Sequence, residues 1–328
     1  MKRPPTLHDV ASHAGVSTAT VSRYFNGKSG AISPATLKRV KEAVDTLGYT
    51  PSEVGRSLRL SRSNLVAMLV PDARNLFTAD VAVSVELSLQ KNGQTLVLTN
   101  TSEDADLQDR LLRAALGMRA EAIILQGGMD TKFLRAVIDR QKNCIFVNRR
   151  PPNDVSAPYV GVDNFSAGKM VGEHFAQQNY SNLVAIHGPK RYPGSSSRLE
   201  GFLEGCGQGD KVVQLECAYT LEAGYELGKE FLGSTDKKHA IFCANDMIAY
   251  GVHRAAKERG MSVPEDLKIF GFDGNRINEW LAPWLSTIRI RADLFGPAIA
   301  DIVSAGVKTR FEPERCIIPF EMVIRESA

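Results

Sequence analysis

The chain has 328 residues, 43% of them hydrophobic, with a formal net charge of +3; that is length for two or three domains and enough apolar surface for a large core, which excludes a small stapled scaffold. The five cysteines, Cys144, Cys206, Cys217, Cys243 and Cys316, are odd in number, lack C-x-x-C spacing and sit in or beside apolar runs, so they read as reduced, buried thiols and not as a metal site. No apolar run reaches transmembrane length, and Met1-Lys2-Arg3 is followed by two prolines and a polar segment, so no membrane partner and a cytoplasmic location are expected.

Thr6 to Asn26, TLHDVASHAGVSTATVSRYFN, reads as two short helices joined by a tight turn. Thr6 can cap the first helix with Asp9 three residues on, Gly15 supplies the bend, and Ser17 caps the second helix. Ala11, Gly15 and Val21 give the small contact, the turn and the inward plug of a helix-turn-helix. The outer face of the second helix then carries Thr18, Ala19, Ser22 and Arg23, with Asn26 at its end. These are short hydrogen-bonding or methyl-bearing groups plus one Arg suited to a guanine edge in the major groove. A helical hairpin inside a larger core is the alternative, but it would bury apolar groups on both faces.

Ser33-Pro34 starts a third helix, in which Leu37, Val40, Val44 and Leu47 close a small core until Gly48 ends it. Ser52 to Leu60 follows, too short to be stable alone. Val54 and Leu58, one turn apart and surrounded by Arg56, Arg59 and Arg62, suit an apolar wedge in a minor groove flanked by phosphate contacts. An ordinary polar linker fits the same composition. Ten basic residues up to Arg62 stand against four acidic ones, a net +6 that leaves −3 for the remainder. Such a split suits a basic nucleic-acid module on a mildly acidic body, with Lys2, Arg3, Ser17, Asn26, Lys28, Arg56 and Arg59 on the DNA backbone, and a merely solvated basic surface is the alternative that charge alone leaves open.

From Leu65 onward apolar runs alternate with amphipathic stretches: LVAMLV, a helix from about Ala79 to Asn92, TLVLTN, a helix from about Asp104 to Leu116, AEAIIL, a helix near Thr131 to Arg140, and CIFV. The pattern repeats with YVGV, a helix from about Ser166, LVAIHG, a helix from about Ser196, VVQLEC, a helix from about Glu222, AIFC, the Met247 to Arg259 helix, LKIFGFD and a last helix near Asp293 to Ala305. Short continuous apolar runs between helices predict two doubly wound parallel-sheet halves facing one cleft. Ligands of such sheets bind beyond the carboxyl ends of the strands. The residues to inspect are therefore Asp72, Phe77, Gln126, Asn148, Asp163, His187, Arg198, Tyr219, Asn245 and Asp273. Helix capping by Asn245 and a turn role for Asp273, Asp163 and His187 are the structural alternatives.

In this order the parts resemble the lac repressor family of bacterial transcription regulators over essentially the whole length. TLHDVASHAGVSTATVSRYFNG, AISPATLKRVKEAVDTLGYTP and GRSLR are similar to that family's headpiece and hinge. VPDARNLF, AEAIILQGG, VGVDNFSAG, SSRLEGF, AIFCANDMIAYGV, VPEDLKIFGFDG and EMVIRES are similar to its periplasmic-binding-protein-like core. The resemblance implies a headpiece at 1–50, a hinge at 51–62 and a core at 63–328, the core divided into 63–159 with 291–315 and 160–290 with 316–328. It also implies a repressor, associated with the nucleoid, that binds a pseudo-palindromic operator as a homodimer, with affinity set by a small effector in the cleft, a sugar or sugar derivative by first expectation. Nucleobases and other small metabolites are alternatives, because Arg198 and Asp273 can bind hydroxyls, carboxylates or ring nitrogens alike.

By the same resemblance, Thr18, Ala19 and Arg23 fall where the recognition helix reads bases, and Leu58 on the leucine inserted into the minor groove. Arg198, Tyr219, Asn245 and Asp273 fall on effector contacts. Several positions depart from the pattern. Gly55 replaces a usual alanine and predicts a looser hinge, Asn148 stands where Asp is frequent, Leu76 where proline is frequent, and Trp280 and Trp284 lie in a variable segment. The absence of a leucine-heptad tail predicts a dimer and not a tetramer. An enzyme is the rival from another class, but no G-x-S-x-G and no Walker A sequence occurs, and the Gly205 to Gly209 run follows a helix where a dinucleotide loop follows a strand. A sugar-binding transport component would have no use for a helix-turn-helix. Neither an enzyme nor a cofactor is expected.

Overall fold

The computed structural model describes residues 3, 5–25, 32–50, 63–140, 144–152, 154–178, 180, 182–207, 209–234, 238–308 and 315–328. Two compact units make up the chain, Met1–Ser63 and Asn64–Ala328.

In the first unit, α1 (Leu7–Ala14) begins at a complete capping box: the Thr6 side chain accepts from the Asp9 N–H and the Asp9 carboxylate accepts from the Thr6 N–H at 2.8 Å. Gly15, at φ 62°, ends the helix in a left-handed turn that only glycine enters without strain. Ser17 Oγ accepts from the Thr20 N–H at 3.2 Å and opens α2 (Thr18–Phe25). Ser33 caps α3 (Pro34–Leu47), with Pro34 in the first turn. Val10, Val21 and Val40 are wholly buried where the three helices meet, each contributing on the order of 1.5–3 kcal/mol. Ala43 and Tyr49 complete this core, Tyr49 edge-on to Phe25; Leu37, expected inside, is only half-buried.

The second unit holds two sheets. The first takes the order β11-β5-β4-β3-β1-β2 from β1 (Leu65–Val70), β2 (Thr95–Asn100), β3 (Ala122–Gln126), β4 (Cys144–Val147), β5 (Tyr159–Gly161) and β11 (Arg315–Ile317), all parallel. The second takes the order β12-β10-β9-β8-β6-β7 from β6 (Leu183–His187), β7 (Val213–Glu216), β8 (His239–Cys243), β9 (Leu267–Asp273), β10 (Ser286–Ile290) and β12 (Phe320–Val323), parallel except for β12 against β10. The inner strands are buried on both faces, which is why they read as unbroken apolar runs, whereas edge strand β7 is mostly exposed.

Helices cover the sheets: α4 (Leu76–Lys91), α5 (Ala105–Gly117), α6 (Lys132–Asp139), α7 (Asn164–Gln177), α8 (Pro193–Cys206), α9 (Leu221–Gly233), α10 (Asp246–Glu258), the short α11 (Asn278–Leu281) and α12 (Phe295–Lys308). Helix α4 starts three residues before the expected Ala79 because Asn75 Oδ1 accepts from the Thr78 N–H and fixes the first turn. Strands β10, β11 and β12 and helix α11 extend the expected pattern.

The boundary expected at 159/160 cuts a strand. Tyr159–Gly161 pairs with β4 on one side and with β11 on the other, so the crossing to the second sheet falls after Gly161, and YVG closes the first half instead of opening the second. For the same reason the last crossing follows Ile317 and not residue 315.

Helices α7 and α8 pack closely enough to exclude side chains. A Cβ on Gly201 of α8 would collide with the Phe165 carbonyl of α7, and one on Gly205 with the Lys169 carbonyl. Gly205, first of the glycine run read as following a helix, lies inside α8 and has a packing role, and the helix end itself is set by Gly207 at φ 63°.

Candidate functional site

In the first unit, Thr18, Ala19 and Arg23 are exposed along the outer face of α2 and Ser22 is half-buried, while Val21 points into the core. Thr18, Ala19 and Arg23 thus share one solvent-exposed face of the second helix. Arg3, expected on phosphate, is ion-paired to Asp9 at 3.0 Å, and hydrogen bonds from Thr6 hold the Asp9 carboxyl below its ordinary range. The exposed Lys38, Arg39 and Lys41 of α3 add positive charge to this unit. The expected contacts Lys2, Asn26, Lys28, Val54, Arg56, Leu58 and Arg59, with the hinge that contains four of them, lie outside the described residues.

In the second unit a cleft of about 980 Å³ opens at the carboxyl ends of both sheets. Of the ten strand-end residues named from the sequence, eight line it and Asp163 and His187 do not. Asp72, Phe77, Gln126 and Asn148 come from the first sheet and its connections, Arg198, Tyr219, Asn245 and Asp273 from the second. The topology explains the convergence, because every parallel strand delivers its next loop to the same end.

Arg198 is the most constrained of the eight. Asn164 Oδ1 accepts from its Nε at 3.0 Å and its Nη2 at 2.7 Å, Nη1 donates to the Ala244 carbonyl, and the guanidinium lies over the Phe272 ring. Asp273 ends β9 at φ 107°, a left-handed conformation that non-glycine residues rarely adopt, and is 7% exposed. Burial raises its carboxyl well above the ordinary range; nearby Arg198 opposes that shift and Asp246 adds to it. An Arg and an Asp so placed can hold adjacent hydroxyls, with Phe77 and the ring of Tyr219 as apolar walls. That ring packs against Gly188, where a Cβ would strike it.

Behind Asp273 lies Asp246, wholly buried. It accepts from the Asn275 N–H and Asn278 Nδ2, each at 2.8 Å, and from Thr287 Oγ1 at 2.7 Å. These bonds fix the loop that follows β9.

Several expected contacts are already engaged within the protein. Asn245 caps α10, its Oδ1 accepting from the Ile248 N–H at 2.9 Å, so the capping role and a place in the cleft coincide. Asp72 forms a bidentate pair with exposed Arg74, whose hydrogen bond keeps the Asp72 carboxyl low. Gln126 Nε2 donates to Thr78 Oγ1 at 3.1 Å, while its buried Oε1 has no hydrogen-bond partner among the described residues. Asp163 caps α7, and buried His187 places Nδ1 2.7 Å from the Gly188 carbonyl, so both serve the fold.

A chain of this architecture is found among known proteins. The ribose operon repressor of Halalkalibacterium halodurans is 30% identical over 324 residues, covering 98% of this chain and 96% of that protein. The chain belongs to the lacI family of bacterial regulatory proteins. The family's own DNA-binding model matches residues 6–52, and a periplasmic binding protein-like domain matches 173–328. In shape, a crystal structure of the lac repressor dimer bound to operator and the anti-inducer ONPF superposes with a TM-score of 0.87 at 21% identity, covering 99% of each chain. A CelR transcriptional regulator in complex with cellobiose gives 0.72 at 25% identity, covering 99% of this chain and 100% of that one. No helix among the described residues is long and apolar enough to cross a membrane.

In this lacI-family member the sequence reading missed Asn164 and Phe272, which hold Arg198, and a group at the cleft mouth made of Glu103, Arg149, Arg191 and Tyr192. Carrying the strand-end rule a few residues past TLVLTN and LVAIHG leads to Glu103 and Tyr192. Asn164 stands within the quoted VGVDNFSAG.

Proposed function

We propose that the protein is a sequence-specific DNA-binding repressor whose operator affinity is set by a small effector, a sugar or sugar derivative, held in the cleft. The observation that carries this is the convergence of eight polar and aromatic residues from both sheets on one cleft of about 980 Å³, within the ordinary range of about 300–1,000 Å³ for ligand sites. Arg198, Asp273 and Asn245 orient the ligand, and Phe77 and Tyr219 flank its apolar faces. Thr18, Ala19, Ser22 and Arg23 read bases, and the basic residues around them supply salt-sensitive affinity.

A ligand that fits one arrangement of the two sheets better than another shifts that equilibrium, and coupling of about 1–3 kcal/mol changes operator affinity roughly 5- to 150-fold. The protein acts as a homodimer on inverted half-sites about one helical turn apart. Exposed Val83 and Leu87, one turn apart on α4, and Trp280, 82% exposed on α11, are apolar surfaces suited to a second copy. Regulation, and not turnover, is the activity of the core. The ribose operon and cellobiose in the names of its relatives agree with a sugar-class effector.

Selection of genomic fragments by the purified full chain at a stated salt concentration tests this reading. An enriched palindrome whose retention changes with one added sugar or sugar derivative supports it. Fragments retained without sequence preference, with and without a metabolite panel, refute it.

A further inference from the structure

The mouth of the cleft holds a cluster that the contacts above leave unused. Tyr192 Oη donates to Glu103 Oε2 at 2.5 Å and accepts from Arg191 Nη2 at 2.9 Å. Arg149 Nη2 donates to Glu103 Oε1 at 3.3 Å, and Arg191 Nη2 lies 3.6 Å from Oε2. One carboxylate thus receives two guanidinium groups and a phenol, the surroundings of a bound anion. Glu103 and Arg149 come from loops of the first sheet, Arg191 and Tyr192 from the loop after β6 of the second, and all four line the cleft.

Arg149 is held in place without Glu103. Arg149 Nη1 donates to the Gly127 carbonyl at 2.8 Å, its guanidinium stacks 3.5 Å from the centre of the Tyr192 ring, and its side chain is 14% exposed. Glu103, by contrast, is 37% exposed and sits on a turn in which Ser102 and Glu103 have φ of 52° and 53°. Non-glycine residues are held in that region when surrounding contacts impose it, and such turns gather at functional sites. Elsewhere in the cleft Arg74 has Asp72 as its partner and Arg198 faces Asp273. At the mouth, Arg149 and Arg191 share Glu103.

We propose that Glu103 is the internal occupant of an anion subsite built from Arg149, Arg191 and Tyr192, and that the effector is an anionic sugar derivative, a phosphate ester or a sugar acid, whose charged group replaces Glu103. The proposal rests on the cleft as effector site. It adds that the ligand exchanges a carboxylate joining loops of both sheets for a charge of its own, so that binding rearranges the contact across the cleft.

Calorimetric titration and thermal melting of the full chain with inorganic phosphate, at constant ionic strength set by sodium chloride, test it. An internal competitor that fills the subsite most of the time lowers apparent affinity by the inverse of the vacant fraction. Glu103→Gln and Glu103→Ala are therefore expected to bind phosphate at least about tenfold tighter than the natural chain, and Arg149→Gln added to either is expected to abolish the gain. Equal affinity in the natural chain and both variants, or a gain that survives Arg149→Gln, overturns the proposal.

D-ribose 5-phosphate and D-gluconate, each set against D-ribose and D-glucose in the Glu103→Gln chain, separate the two sources of charge. Competition with inorganic phosphate by either charged compound identifies its class, and competition by the neutral sugars alone counts against an anion site. Binding of neutral sugars that depends on Arg198 but not on Arg149 leaves the cleft as effector site and removes the anion subsite. A metabolite panel that nowhere raises the melting temperature through Arg198 removes the cleft reading itself.

Discussion

The guanidinium carbon of Arg198 lies 3.4 Å from the centre of the Phe272 ring. The ring supports one face of the cation while Asn164 Oδ1 takes Nε and Nη2 in its plane, so the group is held before any ligand arrives. Lysine keeps the charge but has neither the flat face nor the fork. Arg198→Lys is therefore expected to weaken whichever metabolite raises the melting temperature by at least about tenfold, the loss of one charged hydrogen bond of about 1.5–3 kcal/mol. Calorimetric titration reads it, and undiminished affinity would place the ligand away from Arg198.

Gly201 has a different task. The Phe165 carbonyl occupies the place a Cβ would take, so Gly201→Ala must spread α7 from α8, and with them Asn164 from Arg198. Urea unfolding should show a loss of about 1–3 kcal/mol, the usual cost of overpacking. Effector affinity should fall with it. A variant as stable as the natural chain would mean that the two helices adjust without strain.

These two positions show what the sequence exposed and what it hid. Arg198 was legible because parallel strands send their loops to one end, and because it falls in a motif with a known pattern. Its supports were not. Phe272 lies inside an apolar strand run, where nothing distinguishes a ring under a cation from a ring in the core. Gly201 was not singled out because close helix approach depends on two segments far apart in sequence. Strand β5 shows the same limit: YVG has the texture of either half, and only pairing with β4 and β11 assigns it to the first sheet. In the headpiece, by contrast, capping residues and turn glycines act locally, and the helices begin and end where those residues stand.

Burial raises the Asp246 carboxyl from 3.8 to about 6. The folded state therefore favours the protonated acid. The stability this group contributes is complete below its unfolded value and is lost as pH rises through about 6. Between pH 5 and pH 7.5 the loss is on the order of 1 kcal/mol. Asp273 shifts in the same direction, while burial lowers His174 and His253 and gives the opposite slope. The comparison that isolates Asp246 is thus with Asp246→Asn. The variant's deficit in urea unfolding should be smaller at pH 7.5 than at pH 5, and a deficit constant across that window would show the carboxylate already ionised at pH 5.

Leu87 stands exposed on α4, one turn from Val83. As an exposed site away from the core, Leu87→Glu should leave the melting temperature of the monomeric fold nearly unchanged, within about 0.5 kcal/mol. A charge at the centre of a self-complementary interface is met by its own copy across the twofold axis, and the like charges repel. Sedimentation velocity is expected to shift toward monomer at micromolar concentration, with weaker binding to a two-half-site operator. Unaltered sedimentation would mean that this face of α4 carries no contact between copies, and Trp280 would be the next surface to test.

Arg23 is exposed on the same face of α2 as Thr18 and Ala19, and its contribution can be divided between base and backbone by measurement. A guanidinium that reads a guanine edge contributes about 1–3 kcal/mol at one base pair and nothing elsewhere. One that meets a phosphate contributes on every sequence and adds about 0.9 to the slope of log affinity against log salt. With Arg23→Ala, competition titrations on operator variants should show preference lost at one symmetric pair of positions, with the other positions and the salt slope nearly as before. Uniform weakening together with a shallower slope would assign Arg23 to the backbone, and base reading by this helix would then rest on Thr18, Ala19 and Ser22.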